Sequence, residues 1–284
     1  MLKKIFGLAA KVEFDGSFSP SKLALKLATS AKTDYEDIDY KKYKGKKHKI
    51  LVIFTEEKNM TMENGKSFST GNHPVESLLP MMHLEKAGFD FEIATITGKP
   101  VVFEMWAMPH NDTNVISFFN KYKTQFKNPK KLENFIENSF DRPNEYAAIF
   151  IPGGHGAMLG IPNDKNVGKV LNWAHHNELF TISICHGPSS FLATKIHNQK
   201  FIYEGYKMAV FPKSVDKMTP LIGYLPGQMP WHLSERLNEL GAILVNKKAD
   251  KTVCLDRKLI TGASPLASND LGKLAANSLL KEFN

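Results

Sequence analysis

The chain has 284 residues, 42% hydrophobic and 23% charged, and 37 Lys and Arg against 29 Asp and Glu give a net charge of +8. Those proportions exclude a mainly disordered chain, 19 Gly and 15 Pro exclude a fibrous one, and two cysteines exclude a dense disulfide framework. No apolar stretch approaches the ~20 residues of a membrane span, so the reading is of a globular protein with length for a large core and no membrane partner.

The amino terminus, Met1 to Ala10, starts like a signal peptide, but Lys11 cuts the apolar run short and Glu13 and Asp15 follow. It reads as a short helix or an extension, and with the low cysteine count the expected location is the cytoplasm. Residues 1–48 are irregular and predict an extension that packs on the core or forms part of a lid. Two basic runs stand out: Lys41, Lys42, Lys44, Lys46, Lys47 and Lys49, then Lys121, Lys123, Lys127, Lys130 and Lys131. They read as solvated surface, since no nucleic-acid fold motif accompanies them, and nucleic acid is not expected as a specific partner.

From Lys49 the chain alternates strand and helix signals. Ile50 to Phe54 is a continuous apolar run, the pattern of a strand buried on both faces. A helical pattern follows from Pro74 to Lys86, with proline in the first turn and Gly88 as the stop. Phe91–Ile96 is the next strand. Residues 104–142 exceed an ordinary crossover and predict an inserted helical segment, with helices near 115–126 and 132–138. Then come a strand at Tyr146–Ile151, a helix at Asn166–Asn177, a strand at Phe180–Ile184 and a helix through Phe191 and Leu192. The carboxyl part predicts a strand at Met208–Phe211, a helix at Trp231–Leu240, short strands near 242–245 and 253–259, and a last helix over 266–280. This rhythm predicts one α/β domain over 1–284, with a mostly parallel sheet covered on both faces. Ligands of such sheets bind at the carboxyl ends of the strands.

Three strand ends carry suggestive residues. Cys185 closes a buried strand and precedes a helix, so the turn presents its sulfur above the sheet. A helix amino terminus beside it favours thiolate and predicts a lowered thiol pKa. His186 can shuttle a proton, and Gly187 and Pro188 suit the turn. A buried structural cysteine is the ordinary alternative; placement beside His186 at a strand end argues against it. Glu76, within Gly71-Asn72-His73-Pro74-Val75-Glu76, sits in a first helical turn. It either complements the helix dipole or acts as a desolvated carboxyl near the thiol, able to give or take a proton. Gly153-Gly154-His155-Gly156 offers either backbone N–H groups for an oxyanion or a plain tight turn. Cys254 reads as a packed strand residue, and the other histidines show no zinc-type spacing.

Taken together, Ile184-Cys185-His186-Gly187-Pro188, Pro152 to Gly156 and Gly71 to Glu76 resemble the HchA branch of the PfpI superfamily. Further matches are Glu104-Met105-Trp106-Ala107-Met108-Pro109-His110, Ile222 to Gly227, Asp256 to Gly262 and Ser264 to Asn269. The blocks spread from about residue 49 to the carboxyl end. The resemblance implies a flavodoxin-like three-layer sandwich with a small lid region, a homodimer, and no cofactor. Cys185, His186 and Asp216 match the catalytic cysteine, histidine and acid; Glu76 matches the family glutamate; Gly154, His155 and the His186 N–H fall at the oxyanion and substrate-binding positions. Some members hold zinc through a His, a Glu and a second His. Glu85, Asp90 and Tyr122 stand there in this chain, so no metal is expected.

By this resemblance the expected activity is a glutathione-independent glyoxalase III and protein deglycase. It would convert methylglyoxal to lactate and remove glycation adducts through a cysteine nucleophile. The expected partners are small 2-oxoaldehydes and glycated or unfolded proteins. Two alternatives remain open at this level: a holdase chaperone without essential catalysis, and a cysteine peptidase.

Overall fold

The computed structural model describes residues 9–284, apart from the side chains of His197 and Asn198. The reading of Met1–Ala10 lies outside it except for its last two residues. Among the described residues, seven strands form the main sheet. Across it they run Val253–Asp256, Leu259–Gly262, Phe180–Ile184, Tyr146–Ile151, Lys49–Ile53, Asp90–Thr95 and Lys130–Lys131. The first is antiparallel to its neighbour and every other pairing is parallel.

Side chains leave a strand alternately to its two faces, so this sheet feeds two cores. Leu51, Ile53, Ile149 and Ile151 pack with Leu132, Phe135, Val167 and Leu171, from helices Leu132–Ser139 and Lys165–His176. Ile50, Val52, Phe150 and Ile182 pack with Leu78, Val115, Leu271 and Ala275. The latter come from helices Pro74–Lys86, Thr113–Lys127 and Ser268–Phe283. The result is three layers, α/β/α, with the carboxyl ends of the parallel strands gathered along one edge.

The extension and the insertion complete that edge. Lys11–Val12, Phe18–Ser19, Ser67–Ser69 and Asn59–Thr61 make a small second sheet in that order, with Phe18 opposite Phe68. Ser21 then caps helix Lys22–Ala28, its hydroxyl accepting from Ala24 N–H at 3.1 Å and donating to the Ile222 carbonyl at 2.8 Å. Its own N–H donates to the Gly223 carbonyl at 2.8 Å. The amino-terminal segment is thereby tied to a loop 201 residues away in sequence.

Several expectations are corrected. The helix after Cys185 is a 3₁₀ helix, Gly187–Asn198. The strand expected at 208–211 shrinks to Lys207–Met208, paired with Ile243–Leu244, and a short helix, Lys213–Met218, follows it. The strand read over 253–259 is a hairpin, Val253–Asp256 with Leu259–Gly262. In the insertion the expected helices form, and Lys130–Lys131 between them also joins the sheet edge. Among the described residues no helix is long and apolar enough to cross a membrane.

Candidate active site

Cys185 directly follows the strand Phe180–Ile184 and takes φ 59°, a left-handed conformation that costs a non-glycine residue ~1–3 kcal/mol. Two backbone bonds hold it there. Its N–H donates to the Gly262 carbonyl at 2.8 Å, and its carbonyl accepts from Phe211 N–H at 3.0 Å. The sulfur is presented to a cavity of about 260 Å³, while the residue as a whole is only 3% exposed. That volume lies just below the ~300–1,000 Å³ of drug-sized sites and suits a small substrate or one modified side chain.

A line of hydrogen-bonding groups runs away from the sulfur. Cys185 Sγ lies 3.3 Å from His186 Nδ1, and His186 Nε2 lies 3.1 Å from Asp216 Oδ2. Burial opposes ionisation of Asp216. The adjacent His186 and the hydrogen bonds from His155 and His186 outweigh it and hold the carboxyl well below its usual range. An ionised carboxylate only accepts, so it selects the His186 tautomer protonated on Nε2 and leaves Nδ1 free to accept the thiol proton. Phe211 stacks on the His186 ring at 4.6 Å.

The side chain of His155 lies on the cavity wall and reaches the same acid. Its Nε2 is 3.3 Å from Asp216 Oδ1 and its ring centre is 4.1 Å from that of His186. Burial and the neighbouring His186 lower its pKa, so it stays neutral and donates. Asp216 is thus gripped by two histidines.

Glu76 is fully buried in the first turn of helix Pro74–Lys86 and lines the cavity. The Cys185 thiol and the Gly154 N–H lie against its carboxyl, yet neither oxygen has a regular hydrogen-bond partner among the described residues. Burial, reinforced by the charge of Glu104, pushes its pKa well up. Cys185 is also pushed up, by burial and then by Glu76. The expected lowering of the thiol therefore does not hold. The residues after it form a 3₁₀ helix with poorer alignment of dipoles, and three buried carboxyls, Glu76, Asp216 and Glu104, oppose a further negative charge. Thiol and carboxyl act as one coupled pair, and a single negative charge is easier to hold between them than two.

The glycines of Gly153-Gly154-His155-Gly156 have a steric reason. A Cβ on Gly153 would fall 2.2 Å from Glu76 Oε2 and 2.8 Å from Cys185 Cβ. At Gly154, where φ is 102°, it would fall 2.3 Å from the Gly71 carbonyl oxygen. The turn thus lets the first helical turn bearing Glu76 approach the strand end bearing Cys185.

Sequence reasoning gave no role to several wall residues. Glu104 is 1% exposed; its Oε1 accepts from the Thr70 hydroxyl at 2.7 Å and its Oε2 has no partner among the described residues. Burial pushes it up to about 7, against the pull of His155. Tyr224 shares the wall, and burial keeps it protonated. His73 does too, and burial pushes it down to about 3. In the sequence Glu104 is marked only by opening the Glu104–His110 match, directly after the apolar run Val101-Val102-Phe103.

Among the described residues, His155, His186 and Asp216 are the group of three metal-type ligands whose atoms lie within 4.8 Å of one another. Hydrogen bonds already join them. At the family zinc positions, the Tyr122 hydroxyl donates to Glu85, and Lys121 Nζ sits 2.8 Å from the same oxygen. Burial raises Tyr122, which keeps its proton, and Asp90 is exposed. A phenol and an ammonium around one carboxylate do not fit zinc.

This arrangement, a strained cysteine at a strand end beside a buried glutamate, sits on the fold of a known group. The DJ-1/PfpI family pattern matches residues 67–277, and the chain belongs to that family. The protein/nucleic acid deglycase HchA of Escherichia coli is 48% identical over 270 residues, covering 95% of this chain and 94% of its own. Two solved structures share the fold at lower identity. The 24 kDa rapid encystment protein of Francisella tularensis has a TM-score of 0.69 at 23% identity, covering 81% of this chain and 98% of its own. Glyoxalase III of Candida albicans has a TM-score of 0.64 at 21% identity, covering 84% and 98%.

Proposed function

We propose that the protein is a cysteine-dependent deglycase and glutathione-independent glyoxalase III. The observation that carries this reading is the meeting, in one small cavity, of the Cys185–His186–Asp216 line with the buried carboxyl of Glu76. The 48% identity to HchA supports the deglycase half.

Sγ adds to the aldehyde carbon C1 of methylglyoxal. The thiol proton passes to His186 Nδ1 and on to the new C1 oxygen, giving a hemithioacetal. Ionised Glu76, a stronger base for being desolvated, removes the proton from C1, and an enediol forms. Its return to C2 gives a lactoyl thioester, and water releases lactate and the thiol. Asp216 keeps His186 in the accepting tautomer. The Gly154 and His186 N–H groups are the proposed donors to the C1 oxyanion. The same attack on the aminocarbinol of a glycated Lys or Arg, or on the hemithioacetal of a glycated Cys, forms the Sγ–C1 bond as the C1–N or C1–S bond breaks, and His186 passes the thiol proton to the departing amine or thiol. Glycated nucleotides join the proposed substrates through the wording of the HchA name. A homodimer and a cytoplasmic location belong to the same proposal.

The test is formation of lactate from methylglyoxal by purified protein without glutathione. Cys185→Ala is expected to abolish it; full activity in that variant would remove the nucleophile and the reading with it. A peptidase would instead be trapped by a peptide-like inhibitor and leave methylglyoxal unchanged. A holdase would suppress aggregation equally well without Cys185.

A further inference from the structure

We propose that Glu104 is a second catalytic carboxyl, the acid that protonates the C2 ketone oxygen of the oxoaldehyde while Glu76 works on C1. This rests on the proposed reading of function and adds to it the requirement for a 1,2-dicarbonyl. Glu104 is buried, lines the same cavity as Cys185 and Glu76, and belongs to the Glu104–His110 motif, to which no role has been assigned.

Its orientation is fixed from one side. The Thr70 hydroxyl donates to Oε1 at 2.7 Å, and the His155 backbone N–H also faces the carboxyl. That leaves Oε2 buried and without a partner, the natural carrier of a proton directed into the cavity. The ionisable groups that face Glu104 are His155, Glu76, Cys185 and Tyr224. His155 and Tyr224 remain neutral, so the repulsion that matters is between the two glutamates, the charge of Glu104 raising the pKa of Glu76. The two carboxyls of one cavity titrate as a coupled pair, and the step draws on the microstate in which Glu76 is ionised and Glu104 neutral.

The step balances. Glu76 takes the C1 proton, the C1–H electrons become the C1–C2 double bond, and the carbonyl pair at C2 takes the proton of Glu104. In the second half Glu76 returns its proton to C2. Glu104 recovers its own from the C1 hydroxyl, which a cis-enediol places beside the C2 oxygen. Both carboxyls end as they began, with no oxidant or reductant required.

The test is Glu104→Gln, which keeps a hydrogen-bond donor but cannot transfer a proton. Expected are a fall in kcat of roughly 100-fold, the lower end of the range for a lost general acid, a KM within about twofold, and loss of the decline in kcat above pH 7. Alkylation of Cys185 by iodoacetamide should change less than threefold, separating a chemical role from a collapsed site. Wild-type kcat with an unchanged pH profile in the variant would overturn the proposal. If wild type makes no lactate, or Cys185→Ala makes as much, the reading of function fails instead. Infrared difference spectra then decide on Glu104 without turnover. A neutral-carboxyl band present at pH 6, lost at pH 8 and missing from Glu104→Gln supports the assignment; no such band overturns it.

Discussion

Adding one methyl group at Gly153 tests the packing logic of the site. Its Cβ would lie 2.2 Å from Glu76 Oε2, 2.5 Å from the Ile184 carbonyl oxygen and 2.8 Å from Cys185 Cβ. Ordinary contacts of this kind are about 3.4 Å or more, so the Glu76 oxygen has to retreat by about 1 Å. Ile184 belongs to a central strand and Cys185 is held by backbone bonds at both its N–H and carbonyl, so the Glu76 carboxyl and the Gly153 turn itself are what must move. Over-packing of this sort costs ~1–3 kcal/mol, and a displacement of ~1 Å at a reacting group costs ~100-fold in rate. Gly153→Ala should therefore fold, melt a few degrees lower, and lose about two orders of magnitude in lactate formation. The thiol should also become easier to alkylate, because the carboxyl that opposes its ionisation has been pushed away. Calorimetry, the lactate assay and timed alkylation read these three effects. Wild-type turnover together with wild-type thiol reactivity would refute the claim that this glycine sets the distance between carboxyl and sulfur.

Further predictions concern the supporting residues. His155→Phe removes one donor from Asp216; a hydrogen bond to a charged group contributes ~1.5–3 kcal/mol, so activity should fall roughly 10- to 100-fold. The Asp216 carboxyl is depressed in the folded state, so its contribution to stability is present above the unfolded value and lost as pH falls. The variant raises that folded value, and its acid unfolding, followed by circular dichroism, should begin at higher pH. Glu104 has the opposite sign: raised from 4.5 to about 7, it destabilises the fold as pH climbs between those values, by about 3 kcal/mol at 1.36 kcal/mol per unit. Glu104→Gln should escape that loss, so urea unfolding should show the variant gaining on wild type between pH 5 and 8; parallel curves would contradict it. Ser21→Ala removes a helix cap worth ~1 kcal/mol and the bond to Ile222, so amides of Leu23–Ala28 should exchange about fivefold faster and KM should rise.

The sheet was legible because its strands are unbroken apolar runs such as Tyr146–Ile151, buried at every position. Cys185 was legible for the same reason: the run ends, and a cysteine, a histidine, a glycine and a proline follow. The small sheet around Phe68 was not, since strands of two and three residues carry no periodicity. Asp216 came through resemblance alone; it lies on a six-residue helix past the predicted strand, where the sequence suggested no element. The raised thiol pKa depends on the depth of Cys185 and its nearness to Glu76, 109 positions earlier, and nothing local encodes either. Glu104 sits beside a single backbone bridge, Asn72 with Phe103, and only the assembled cavity reveals it.

The chamber has a foundation and a ceiling of separate origin. Cys185, His186 and Glu76 are set by the central sheet and a helix packed on it, so moving them disturbs the hydrophobic interior. Leu27 and Ala28 overhead hang from Ser21 and share the cavity wall with Ile222 and Tyr224, with little of that interior behind them. Substitutions in the ceiling can resize the chamber while the chemistry below stays fixed. A lineage, or a protein engineer, can therefore retune what enters without relearning how to react with it.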